Sequence, residues 1–181
     1  WGTNGLTFDG TGTTILLGDA SVNDANHYSG GTFIRSGKVI LQATGASSSG
    51  VSGSPHAVDS IEALDTGATL VIPGTWNGVS SASSIRDQIA YGPDSRLNMT
   101  GGTLDFYNDP KNQRVPVPEG TGLILNSGPN IQSGVQCLIG STDKTFAGVI
   151  ADGNNGVLST NNNFNGGPGY QIGIVQLNNA G

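Results

Sequence analysis

The chain is poor in the residues that most small proteins use to hold themselves together or to do chemistry. It has one cysteine, Cys137, in 181 residues. No internal disulfide can form, so no disulfide framework supports the fold. Charged residues make up only 11% of the chain, and Lys plus Arg number 7 against 13 Asp plus Glu. A net charge of −6 with so few cations excludes nucleic acid as an expected partner, because phosphate recognition needs clustered Lys and Arg. It also argues against an anionic membrane surface. The longest apolar runs, Ile15-Leu16-Leu17 and Leu70-Val71-Ile72, are far too short to span a bilayer. No segment sustains a 3.6-residue apolar period, and only Ser83–Ala90 reads as a short helical turn. No signal peptide is present and residue 1 is Trp, so the sequence is read as an excised or processed portion.

What is abundant is glycine, 30 residues, more than twice the usual share of about 7%. Hydrophobic residues are 35% of the chain, which is too many for a disordered polymer, and they fall in short runs bounded by Gly, Asn, Asp or Pro. These runs predict strands at Thr14–Leu17, Thr32–Arg35, Lys38–Gln42, Ser60–Leu64, Thr69–Ile72, Arg96–Met99, Thr103–Tyr107, Leu123–Asn126, Gln136–Ile139, Thr145–Ile150, Val157–Thr160 and Gln171–Leu177. The expected class is all-β.

A degenerate pattern of apolar, two spacers, Gly, then alternating apolar residues recurs. Its copies are Ile34-Arg-Ser-Gly37-Lys-Val39-Ile-Leu41, Leu64-Asp-Thr-Gly67-Ala-Thr-Leu70-Val-Ile72 and Met99-Thr-Gly-Gly102-Thr-Leu104-Asp-Phe106. Two short strands meet at a corner where Gly37, Gly67 or Gly102 supplies φ > 0, and alternate side chains then share one side. That predicts a β-solenoid over residues 1–181, with about seven to nine coils at roughly 20–25 residues each. The competing architecture is a β-sandwich, which also has short strands and Gly-rich turns. Outward positions filled by Thr, Ser, Asn and Gln suit stacked ladders and favour the solenoid.

The segment Tyr28-Ser-Gly30-Gly31-Thr32-Phe-Ile34-Arg-Ser-Gly37-Lys-Val39-Ile-Leu41 resembles the autotransporter-associated β-strand repeat, also called the passenger-associated transport repeat. Thr13–Asp19 resembles the strand that precedes that motif. Lys144–Gly153 with Val157-Leu158 resembles the strand pair before a further copy, and together these cover about half the chain. The resemblance implies a single-stranded right-handed parallel β-helix exported to a bacterial cell surface, with a structural or adhesive role. The family's anchoring barrel is not in this sequence, and Ala43–Ala57 and Gly74–Ile89 are long insertions. Ile174–Gly181 is similar to Leu6–Gly12, so the chain is expected to be one unit of a tandem array or fibre, partnered end to end by copies of itself.

The one cluster with chemistry in reach is Asp105-Phe-Tyr107-Asn-Asp109-Pro-Lys111-Asn-Gln-Arg114. Asp105 and Tyr107 share a strand side, with Lys111 and Arg114 beyond, an arrangement able to contact an anionic sugar. The same residues also read as a solvated, charge-compensated loop. Trp76, after Pro73-Gly74-Thr75, is a candidate for stacking on host or matrix glycans, or for pinning its loop. Asp9, Asp19, Asp24, Asp94, Asp143 and Asp152 lie near turns, where Asp bonds its own backbone, and no calcium-loop pattern surrounds them. His27, His56 and Cys137 lack partners at metal or catalytic spacing. Asn98-Met99-Thr100 matches a glycosylation sequon, with Met99 inward and Asn98 outward. No catalytic residue, cofactor or metal is expected, and a polysaccharide lyase or hydrolase is the enzymatic alternative.

Overall fold

The computed structural model describes residues 3–19, 28–44, 57–58, 60–73, 75–76, 79–80, 88–89, 95–107, 113–127, 135–138 and 144–152. Among these there is no helix, and thirteen strands are present. Nine of them form one sheet, curled into a half-barrel.

Among the described residues the chain makes six successive passes along this sheet. The first is β1 (Leu6–Phe8) with β2 (Thr13–Asp19), the second β3 (Thr32–Ile34) with β4 (Gly37–Thr44), and the third β5 (Ile61–Asp65) with β6 (Ala68–Val71). Either side of a hairpin made by β7 (Thr75–Trp76) and β8 (Val79–Ser80), the pattern holds. The fourth pass is a single long strand, β9 (Leu97–Asp105). The short strand β10 (Gln113–Pro116) leads to the fifth pass, β11 (Pro118–Asn126). After β12 (Val135–Leu138) comes the sixth, a bridge at Phe146 followed by β13 (Val149–Asp152).

Every pairing in the nine-stranded sheet is parallel, which is not the pairing of an antiparallel sandwich. One ladder runs β1, β3, β5 and the first halves of β9 and β11. A second runs β2, β4, β6, the second halves of β9 and β11, and β13. A third set of parallel contacts, Val58 with Ile89 and β10 with β12, precedes the first ladder in the third to sixth passes.

This register sorts the apolar residues into columns. Val39, Leu70, Leu104 and Ile124 stand one above another, as do Phe8, Ile34, Leu64 and Met99. Leu41, Ile72 and Phe106 occupy the next inward position, and all of these except the half-buried Phe8 are buried in a single core cluster. The apolar members of the degenerate repeat are therefore the inner faces of three consecutive passes. Strict alternation puts them on one side because successive Cβ atoms point to opposite faces.

Several expected strands need adjustment. Arg96–Met99 and Thr103–Tyr107 are one strand, β9, continuing through Thr100–Gly102. Sequence reading missed β1, β7, β8 and β10. Within Ser83–Ala90, Gln88 is at a bend and Ile89 bridges Val58 in parallel, so these two residues are not part of a helical turn; the others lie outside the described residues. The expected strands Val157–Thr160 and Gln171–Leu177 lie outside the described residues.

The corner glycines act in two ways. Gly37 (φ 74) and Gly67 (φ 86) take the left-handed conformation. In the third copy that conformation belongs to Gly101 (φ 114) instead of Gly102. Gly102 is needed for space, since a Cβ there would lie 2.7 Å from the Asp65 carbonyl oxygen. The column through the corner reads Gly12, Gly37, Ala68, Gly102, Gly122, Gly148. A Cβ on Gly37 would lie 2.1 Å from the Gly10 oxygen, one on Gly122 2.5 Å from the Gly102 oxygen, and one on Gly148 2.4 Å from the Gly122 oxygen. At these glycines a pass settles closely onto the backbone of the one before, whereas the third pass places the small side chain of Ala68 in the column.

The two roles separate in mutants. Gly67→Ala meets nothing within 4 Å, so only left-handed strain of about 1–2 kcal/mol applies. Gly37→Ala adds a backbone clash and is expected to destabilise by clearly more in urea unfolding; equal losses would contradict the close-approach role.

Candidate functional site

Asp105 closes β9, and Tyr107 follows two residues later. Both are half-buried, Asp105 as the last strand residue and Tyr107 in the turn that follows. Asp105 stands in the outward column Ile40, Val71, Asp105, Leu125. Outward residues of a half-exposed sheet are normally wet, yet Ile40 is 0% and Val71 2% exposed. The sheet is covered on both faces here, and the Asp105 carboxylate enters an apolar setting.

Ser127, one pass later, meets that carboxylate. Its backbone N–H donates to Oδ1 at 3.1 Å and its hydroxyl to Oδ2 at 2.6 Å. Burial raises the Asp105 pKa above the ordinary carboxylate value, opposed by the two Ser127 hydrogen bonds and by the charge of Lys38. Both carboxylate oxygens are engaged in joining β9 to the end of β11, so the geometry is that of a clasp.

Of the other residues in the expected cluster, Asp109 and Lys111 lie outside the described residues. Arg114 falls on β10, paired with Gln136, and Trp76 falls on β7 of the hairpin, paired with Val79; their side chains are not described. Asp105 therefore ends β9 with Tyr107 in the turn beyond it, and the convergence of Asp109, Lys111, Arg114 and Trp76 on them lies outside what is described.

The structure adds polar contacts that local sequence does not reveal. Arg35 pairs with Asp65 at 2.7 Å while the Thr100 hydroxyl donates to the other Asp65 oxygen. Arg96 pairs with Glu62 at 3.3 Å and Lys144 with Glu119 at 2.8 Å. The Ser36 hydroxyl donates to Asp9 at 2.9 Å and accepts from the Gly10 N–H at 2.7 Å. Asn98, expected to face outward, is half-buried and donates its amide to the Glu62 carbonyl. Each contact joins consecutive passes. The partners are 22 residues apart at Asp105–Ser127 and 36 at Ser60–Arg96, so no fixed spacing could have found them. Opposite charges one pass apart are the only sequence signal, and it requires the register first.

The repeat-like segment gains a physical account. Thr32 is fully buried and its hydroxyl is hydrogen-bonded to the Tyr28 hydroxyl. A Cβ on Gly30 would lie 2.2 Å from the Gly5 nitrogen, and one on Gly31 (φ 77) 2.2 Å from Glu62 Cγ. The Tyr-x-Gly-Gly-Thr string therefore fits a pass laid between its neighbours. Asp9 faces Ser36, and among the described residues no group of three or more His, Cys, Asp or Glu side chains is placed to hold a metal. Cys137 lies on β12 and its side chain is not described; Asp24, Asp94, Asp143, His27 and His56 lie outside the described residues.

Comparison with models of known families, with curated proteins and with solved structures found no match.

The clasp has a signed pH dependence. A folded-state pKa above the unfolded one means that the native state holds the proton more tightly. Asp105's contribution to stability is therefore full at acidic pH and is lost as pH rises through the raised value. Asp65 has the opposite sign: the Arg35 hydrogen bond, then that of Thr100, lowers its pKa, so its contribution is lost on acidification. Denaturant unfolding across about pH 3–7 should show wild type losing stability relative to Asp105→Asn as pH rises; the reverse slope contradicts the buried setting.

Proposed function

We propose that the chain is a segment of a secreted or cell-surface β-solenoid, a single-stranded right-handed parallel β-helix of the autotransporter-passenger type, with a structural or adhesive role. The observation that carries this reading is the common register of six passes: parallel strand pairs, inward aliphatic columns and a glycine corner repeated through the same columns. A solenoid gains stability from neighbouring windings alone, so the architecture performs its role as a rod without any reacting group. Outward polar contacts are absorbed in tying one winding to the next. Asp105, the carboxylate best placed for acid–base work, has both oxygens on Ser127. The resemblance of Tyr28–Leu41 to the passenger repeat supplies the compartment.

Two measurements test the reading. Thr69 and Thr103 are direct register partners on the outward side of adjacent passes. In parallel strands such positions stand about 4.8 Å apart, within disulfide reach. Thr69→Cys with Thr103→Cys, in a Cys137→Ser background, should close to a disulfide on mild oxidation, whereas Thr69→Cys with Thr7→Cys should not. Failure of the first pair removes the solenoid.

For the role, antibody against the chain should label intact cells of the native host, and the chain should leave uronate polymers uncut. Labelling only after lysis contradicts the surface assignment, and turnover that Asp105→Ala abolishes supports a polysaccharide-degrading enzyme instead.

A further inference from the structure

The Asp9-Gly10 pair in the first pass carries a reaction of its own. In an Asp-Gly sequence the glycine nitrogen, with no side chain beside it, can attack the aspartate Cγ. The N–Cγ bond forms, the carboxyl C–OH bond breaks, and the nitrogen's proton leaves with the hydroxyl as water. Water then opens the cyclic imide at either carbonyl. One route returns aspartate and the other gives isoaspartate, in which the main chain runs through the side-chain carbons. The step needs no oxidant, metal or enzyme. Asp9 and Gly10 are both exposed, and a Cβ on Gly10 would meet nothing within 4 Å, so crowding does not protect them.

The next pass holds both reacting groups. The Ser36 hydroxyl accepts the Gly10 N–H at 2.7 Å and donates to Asp9 Oδ1 at 2.9 Å, using its donor on the electrophile and an acceptor site on the nucleophile. The backbone is pinned on either side. The Arg35 N–H donates to the Phe8 carbonyl at 2.8 Å, and the Lys38 N–H to the Gly12 carbonyl at 3.0 Å. Between these anchors the Gly10 carbonyl lies against Gly37, where a Cβ would come within 2.1 Å of it. Turning the Gly10 nitrogen onto Cγ rotates both the Asp9 side chain and the peptide that follows it, which pulls them off the Ser36 hydroxyl.

We infer that Asp9-Gly10 is an imide-forming modification site that the Ser36 hydroxyl keeps closed in the folded chain. Opening it has a structural consequence. Isoaspartate adds a methylene to the main chain between the Phe8 and Gly12 anchors, so β1 and β2 can no longer hold register with β3 and β4 together. The hydroxyl thus guards the joint between the two ladders against spontaneous ageing. The inference rests on the contacts between the first two passes and goes beyond the role proposed for the chain.

The test is peptide mapping of the full chain after warm incubation at mildly acidic pH, where a carboxyl reacts in its protonated form. The map separates aspartyl, imide and isoaspartyl forms of the Asp9 peptide. Urea-unfolded wild type gives the unrestrained rate. Folded wild type is expected to convert several-fold more slowly, and Ser36→Ala, kept below its unfolding midpoint, to approach the unrestrained rate. Ser36→Thr keeps the hydroxyl and is expected to stay slow. Gly10→Ala sets a methyl beside the attacking nitrogen, in open space, and is expected to slow Ser36→Ala again. Folded wild type that converts as fast as the unfolded chain overturns the inference without recourse to any variant. Equal rates in folded wild type and Ser36→Ala overturn it too. So does a faster rate in wild type, since the hydroxyl would then be passing the Gly10 proton to the carboxyl.

Discussion

The structure depends on how closely one pass of backbone can approach the next at the corner. Parallel strands can pair along their straight portions with almost any side chains facing outward. At the bend, carbonyl groups turn toward the neighbouring winding, and a Cβ on Gly37, Gly122 or Gly148 would sit 2.1–2.5 Å from them. Removing that carbon lets both ladders keep their spacing through the turn. Once the corner is set, the alternation of each strand delivers Val39, Leu70, Leu104 and Ile124 into one buried column. Burial at about 25 cal/mol per Å² of apolar surface then supplies the driving force.

The outside follows from the same register. Arg35–Asp65, Arg96–Glu62 and Lys144–Glu119 are exposed or half-exposed pairs, each worth at most about 1 kcal/mol. Their value lies in specificity, since a slip of one residue would turn every outward side chain inward. Asp105 differs because the column it occupies is covered. Its carboxylate keeps both oxygens on Ser127, and the clasp connects the ends of two long strands at the point where the fourth and fifth passes leave the sheet.

The inner faces were legible in sequence because their period is local. Ile34, Val39, Leu41, Leu64, Leu70, Ile72, Met99, Leu104 and Phe106 could be read as inward from alternation about a glycine, and all are buried. Gly101 was misassigned to Gly102 because adjacent glycines give the same string for two different needs, one conformational and one steric. The continuation of β9 through Thr100–Gly102 was missed for a related reason: two glycines read as a break, while the chain bends there without leaving either ladder. The short strand β10, with Pro116 at its end, lacks a pattern of its own and is defined by its partner β12. The clasp partner Ser127 and the ion pairs were invisible because they join residues a full pass apart, and pass length varies with the insertions.

The central claim, that consecutive passes lie parallel and in column, is tested most directly by through-space proton contacts in solution. Isotope-labelled chain should give interstrand amide-to-α contacts of parallel type linking Val39 to Leu70, Leu70 to Leu104 and Leu104 to Ile124. Close α-to-α contacts, the signature of antiparallel partners about 4.5 Å apart, would contradict it.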